Sequence, residues 1–259
     1  MPLRSSENNQ NDMRIIIGSI LLIAGLSGQA HAQADSKTNQ TLNVRQQKIV
    51  AIAALTAKGD QEKLKPVIHT ALDSGLTINE IKELMVHLSA YCGFPRSLNA
   101  INTFITVSND RKAKGITDNV GAEPVPMNRD VDKYERGKKN LEDLSGRRET
   151  GQKTGYAAFV PVIDTFLKEH LFADIFSRGV LTNQERELTT VSALVSLGGV
   201  ESQLQGHLSI SLRVGLTEQQ LGQMIAISET LIGPKEAAAG KAVLDRVIAS
   251  NRNTGKGAN

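Results

Sequence analysis

"QLQGHLSISLRVGLT" runs from Gln203 to Thr217. Leu204, Leu208 and Leu212 recur every fourth residue, which lays one apolar stripe along a helix. Its last three residues, Gly215-Leu216-Thr217, repeat Gly75-Leu76-Thr77 at an offset of 140. Working outward at that offset, Ala53 meets Ala193, Gly59 meets Gly199, Leu64 meets Leu204, Leu72 meets Leu212 and Gly93 meets Gly233. About 60 positions align without a gap, and apolar character persists where identity does not, as at Ile81/Leu221 and Leu84/Met224. The chain therefore contains an internal duplication. Two copies are too few for a solenoid and predict two similar helical units packed against each other.

Each copy reads as helices. In the first, Val44 to Ala57 ends at Gly59, and Lys63 to Ser74 carries Leu64, Val67, Ile68, Ala71 and Leu72 at helical spacing. Gly75 suits the residue after a helix end. "TINE" then sets Thr77 as cap and Glu80 three residues on, a capping box for the next helix. Gly93-Phe94-Pro95 breaks that helix, and "RSLNAINTFITV" resumes the spacing. The second copy repeats the plan over Gln184–Leu197, Ser202–Val214, Thr217–Leu231 and Lys235–Ser250. Strand signals are weak, so the fold class is all-α. Residues 44–107 form unit 1, 108–155 a polar linker with one exposed helix over Val131–Leu144, and 156–250 unit 2. Unit 2 opens on "PVIDTFLKEHLFADIF", with Pro161 at the first helical position. Residues 251–259, "NRNTGKGAN", read as a disordered tail.

The chain of 259 residues is 40% hydrophobic and 22% charged, enough apolar content for a packed core. Aromatics are 3%, tryptophan is absent and the net charge is only +3. Base-stacking platforms and a basic footprint are both missing, which argues against a nucleic-acid partner. Arg14 precedes the apolar run "IIIGSILLIAGL" (Ile15–Leu26), followed by "SGQAHAQA" with small residues at Ala30 and Ala32. This pattern predicts a signal peptide over residues 1–32, cut after Ala32, with Met13 as an alternative start. The apolar run is too short for the roughly 20 residues that cross a bilayer. The mature protein is expected to be soluble, off the membrane, and periplasmic or secreted. Its single cysteine, Cys92, allows no internal disulfide and no CxxC pair.

Two stretches carry a resemblance: "GLTINEIKELMVHLSAYCGFPRSLNAI" (75–101) and "ERELTTVSALVSLGGVESQLQGHLSISLRVGLTEQQL" (185–221). The turn YxGFPxxLNA and the run QLxxH(x)7GLT together resemble the carboxymuconolactone decarboxylase family, which includes alkylhydroperoxidase-type redox proteins. The resemblance covers Val44–Val107 and Leu181–Ile248 and implies an all-α fold and a homo-oligomer, a trimer or hexamer. Redox members carry a glutamate, a CxxC pair and a histidine on the following turn. Here the histidine position is His207 and the glutamate position falls within one residue of Glu187. The cysteine positions hold Val200 and Gln203, and the first copy has Val67 in place of the histidine.

Peroxide reduction needs an attacking thiolate and a resolving thiol, so that chemistry would rest on Cys92 with an external thiol. Cys92 also reads as a small packed residue. Decarboxylase-type members, as the resemblance implies, use no metal, thiol or cofactor. They release CO2 from a small lactone acid and protonate the enolate-like carbon, which calls for a near-neutral proton donor and a site for developing negative charge. His207 is the candidate acid and base. Glu187 would hold its tautomer, and Gln203, one turn earlier, would orient ring or substrate. Arg186, Arg96 and Tyr91 are the groups suited to a substrate carboxylate or carbonyl. His69, His87 and His170 show no partner in the sequence, and no metal-ligand spacing occurs. The expected activity is cofactor-free lyase or isomerase chemistry on a small carboxylated lactone or keto acid. The alternatives are an antioxidant using Cys92 and a non-enzymatic binding or assembly protein on the same fold.

Overall fold

The computed structural model describes residues 40–126 and 131–256. Residues 1–41 and 42–259 group as separate units. The signal peptide and its cleavage site lie outside the described residues. From Leu42 onward the elements are α1 (Val44–Lys58), α2 (Gln61–Asp73), α3 (Ile78–Ala113), α4 (Lys133–Ser145), α5 (Gly155–Phe159) and α6 (Pro161–Phe166). α6 runs on into a π-wound turn, Leu167–Ile175, and a 3-10 turn, Phe176–Arg178. Then come α7 (Asn183–Leu197), α8 (Glu201–Arg213), α9 (Glu218–Ile232) and α10 (Pro234–Lys256). Among the described residues there is no strand, and no helix is long and apolar enough to cross a membrane. The fold is all-α.

α1 and α7, the equivalent helices of the two copies, pack against each other at the centre. Ile49–Ala57 of α1 and Glu185–Ser196 of α7 are buried without interruption. A helix buried on every side has no polar face to show, which explains why the apolar residues of α1 run together instead of forming a stripe, whereas α7 buries Arg186, Glu187 and Thr190 among its apolar residues. α3 and α9 flank this pair, α2 covers α1, α8 covers α7, and α10 closes over α8 and α9. Each fully buried Leu or Ile in this layer, such as Ile52, Leu55, Leu188 and Leu208, contributes about 1.5–3 kcal/mol relative to exposure.

The local signals hold in both copies. Thr77 and Thr217 cap α3 and α9 with nearly the same backbone angles, φ −89°, ψ 162° and φ −88°, ψ 156°, and both form capping boxes. Gly93 sits at φ 81°, ψ 156° and Gly233 at φ 105°, ψ 164°, a region closed to side chains with a Cβ. Gly93 bends α3, and the Ser97 hydroxyl spans the bend by donating to the Met85 carbonyl at 2.6 Å. Arg45 of α1 joins the copies by gripping both capping-box glutamates, Glu80 at 2.6 Å and Glu185 at 2.7 Å.

Three stretches differ from expectation. The linker helix expected to stand exposed is present as α4, but it packs on the π-wound turn and on α8. Gly137 makes this possible, because a Cβ there would land on the Lys168 carbonyl. The "PVIDTFLKEHLFADIF" helix leaves α-winding at Leu167. The tail read as disordered from Asn251 instead continues α10 to Lys256. It meets no glycine before Gly255, and Arg252 pairs with Glu218 at 2.6 Å.

Candidate functional site

One buried polar seam crosses the otherwise apolar core. Glu83, His87 and Tyr91 lie at i, i+4 and i+8 on α3, so they share one face. Arg186, Glu187 and Thr190 of α7 and His207 of α8 meet them. Glu187 is fully buried and its Oε2 lies 2.9 Å from His207 Nδ1. The carboxylate oxygen accepts, which puts the imidazole proton on Nδ1 and leaves Nε2 as the basic nitrogen. The His207 side chain is 14% exposed, so the pair is sheltered but reachable. The Tyr91 ring meets His207 edge-on at 5.4 Å and lies 5.1 Å from His87. Its hydroxyl is buried with Thr190 close by but out of hydrogen-bonding geometry. Burial, reinforced by the Glu187 charge, pushes this phenol above its ordinary range, so it stays protonated as a donor.

His87 is held as firmly. Arg186 Nη1 donates to His87 Nδ1 at 3.3 Å, so the ring proton sits on Nε2 and is donated to Thr190 Oγ1 at 2.8 Å. Phe176, from the 3-10 turn, packs edge-on to His87 at 5.3 Å and under the Arg186 guanidinium at 5.3 Å. Burial, then the charges of Arg186 and His207, keeps His87 well below the usual histidine range. Below pH about 6.5 the unfolded chain therefore takes up a proton that the folded chain refuses. Stability is full above that pH and falls below it by up to about 1.4 kcal/mol per pH unit. Urea titrations from pH 7 to 5 are expected to show a steeper loss in the unmodified protein than in His87→Gln.

The structure brings His207, Glu187, Tyr91 and Arg186 together. Gln203 and Arg96 are exposed and outside the seam. Position 203 shares a helix face with His207, but it lies in the first, solvent-facing turn of α8. Cys92 packs beside Ala53, Ala57, Leu88 and Ala193, and its Sγ donates to the Leu88 carbonyl at 3.2 Å. Burial pushes its thiol up to about 11, against the pull of the Arg96 guanidinium. Iodoacetamide labelling at pH 8 is expected to be roughly 100-fold slower than for a free cysteine and to keep rising up to pH about 11. A rate that levels off near pH 8.5 would show an unperturbed thiol. Among the described residues no three His, Cys, Asp or Glu gather closely enough to hold a metal.

His87, Thr190 and Phe176 were not among the sequence candidates. The signal available was the i, i+4, i+8 polar run on α3 within an apolar helix. The duplication also shows which half of the fold carries the site. At the repeat offset, Glu187, His207, His87 and Tyr91 correspond to Gln47, Val67, Ile227 and Leu231. The last three of these pack against the hydrophobic core. The counterpart positions thus hold no histidine, tyrosine or glutamate, and the seam draws its residues from both copies.

The comparisons agree with this architecture. The model of the carboxymuconolactone decarboxylase family matches residues 29–104 and 161–245. Over 82 residues the chain is 32% identical to a 4-carboxymuconolactone decarboxylase of Acinetobacter baylyi. Over 82 residues it is also 26% identical to an uncharacterized protein of Methanocaldococcus jannaschii. Each alignment covers 32% of this chain, and it spans 54% of the first relative and 77% of the second. The two matched regions coincide with the two helical copies, and the chain belongs to the carboxymuconolactone decarboxylase family.

Proposed function

We infer that the protein is a cofactor-free lyase or isomerase acting on a small carboxylated lactone or keto acid, with His207 as general acid and base. The observation that carries this reading is the sheltered His207–Glu187 pair beside the unpartnered Tyr91 hydroxyl. In the lyase form, the bond to the departing carboxylate breaks and its electron pair moves into the conjugated carbonyl, giving an enolate and CO2. The Tyr91 O–H would donate to the enolate oxygen. His207, protonated on both nitrogens, delivers the Nε2 proton to carbon and regains one from water. Glu187 stabilises the imidazolium through Nδ1 and fixes the ring's orientation. In the isomerase form, Nε2 removes a proton from one carbon and returns it to another.

Export rests on the N-terminal pattern, and self-association is supported by exposed Phe94, Phe159, Ile163 and Phe166. The test is a panel of small lactone acids and 2- or 3-keto acids, followed by CO2 release and by deuterium uptake next to the carbonyl. Turnover that disappears in His207→Asn is the expected result. Turnover that survives in His207→Asn would end this reading, as would silence of the unmodified protein on the whole panel.

A further inference from the structure

The first copy carries a cleft that His207 and Glu187 do not line. Ile78, Met85, Ile101, Phe104 and Ile105, drawn from both halves of α3, enclose about 610 Å³ together with the strap that follows α3. That volume is in the range of small-molecule sites, and so is a largely apolar wall with a few polar groups. The strap is fastened in place. The Ile78 and Asn79 amides donate to the Asn119 and Val120 carbonyls at 2.9 Å each, and the Val125 amide donates to the Arg178 carbonyl at 2.9 Å. Gly121, at φ 80°, lies against the Thr77 side chain where a Cβ would clash.

The second copy shows that the fold does not require this apolar wall. At the offset of 140, Ile78, Ile101 and Ile105 correspond to Glu218, Lys241 and Asp245. There Lys241 pairs with Asp245 at 2.7 Å and Glu218 with Arg252 at 2.6 Å. Ile105 is 52% exposed, at a helix position where the other copy sets a charge. Exposed apolar side chains gathered in this way mark a binding surface. The charges around the cleft select the occupant. Arg178 is held by both oxygens of Glu83, at 2.7 and 2.8 Å. Lys82 and Glu123 add one charge of each sign, and both are bonded to Asn79, at 3.3 and 3.0 Å. The lining therefore carries no net charge, and an ionised ligand would lose hydration there without a free counter-charge. Ser108 and Asn109, also in the lining, suit one carbonyl or hydroxyl. We propose that this cleft binds an uncharged, largely apolar small molecule, of the class of an alkylated aromatic with a single carbonyl or hydroxyl group.

The test is direct binding. The uncharged fluorophore prodan is titrated into the unmodified protein, with anilinonaphthalene sulfonate as an anionic probe of similar size. Prodan is expected to give a saturable, blue-shifted, one-to-one signal, and the sulfonate to bind at least about tenfold more weakly. Ile101→Lys/Ile105→Asp rebuilds the ion pair of the second copy inside the cleft. It is expected to weaken prodan binding by at least about tenfold. Should that variant not fold, Ile105→Asp alone, at an exposed position, decides. Phe159→Ser/Phe166→Ser removes exposed aromatics that do not line the cleft and is expected to leave prodan binding unchanged. The proposal is overturned if prodan does not saturate, if both probes bind equally, or if the cleft variant binds as the unmodified protein does. Loss of the signal in the phenylalanine variant also overturns it. So does a failure of prodan to bind while Ile105→Asp lowers the mass in light scattering, since a second copy would then fill the cleft.

Discussion

Replacing His207 by asparagine is expected to lower turnover of any substrate of this site by about 10²–10⁴-fold, the usual contribution of a positioned acid or base. Asparagine keeps a side-chain donor for Glu187 but no ring nitrogen to take up and hand on a proton, so the fold should persist while proton delivery stops. KM should change less than turnover, because the expected loss is in the proton-transfer step. Glu187→Gln gives a second measure. The amide can still hold the ring but carries no charge to stabilise the imidazolium that proton transfer requires. Its turnover should fall as well, and circular dichroism should show both variants folded. If either variant matched the unmodified protein in steady-state kinetics, the pair would be a structural contact only.

Lys168→Met is expected to destabilise the fold by about 3 kcal/mol, the low end for breaking a buried pair. Lys168 is 1% exposed and donates to both oxygens of Asp164 at 2.8 and 2.9 Å and to Tyr134 at 2.9 Å, and it pairs with Glu149 at 2.5 Å. The low end applies because Lys153 still reaches Asp164 at 2.8 Å. Burial works against the Asp164 carboxylate, yet the bonds from Lys153 and Lys168 hold it down to about 2. That stabilisation is present above pH about 4 and is lost as pH falls towards 2, so the gap between Lys168→Met and the unmodified protein should narrow there. Thermal melts at pH 7 should show a fall of roughly 6–12 °C. Adding Asp164→Asn should recover part of it by removing the uncompensated charge. The effect reaches the site because Lys168 lies in the π-wound turn that leads directly to Phe176.

The parts of this architecture that were legible in the sequence are those decided locally. Thr77, Thr217 and the paired glycines specify caps and bends within a few residues, and the offset of 140 exposes the duplication without any contact information. His207 and Glu187 were singled out through the family resemblance, whose motif lies within one copy, and they sit 20 residues apart on successive helices. His87 was not, since its partners lie 99 and 103 residues away and meet it only through the packing of one copy on the other. The π-winding of Leu167–Ile175 was hidden for another reason. Over nine residues, apolar spacing does not separate a turn of 3.6 residues from a slightly wider one.

The silent counterpart of the site has a consequence for inheritance. His87 and Tyr91 come from the first repeat, and Arg186, Glu187 and His207 from the second. Neither repeat, expressed by itself or exchanged for a homologous segment, encodes a complete centre. A chain cut between the repeats would therefore leave His87 and Tyr91 on one fragment and Arg186, Glu187 and His207 on the other.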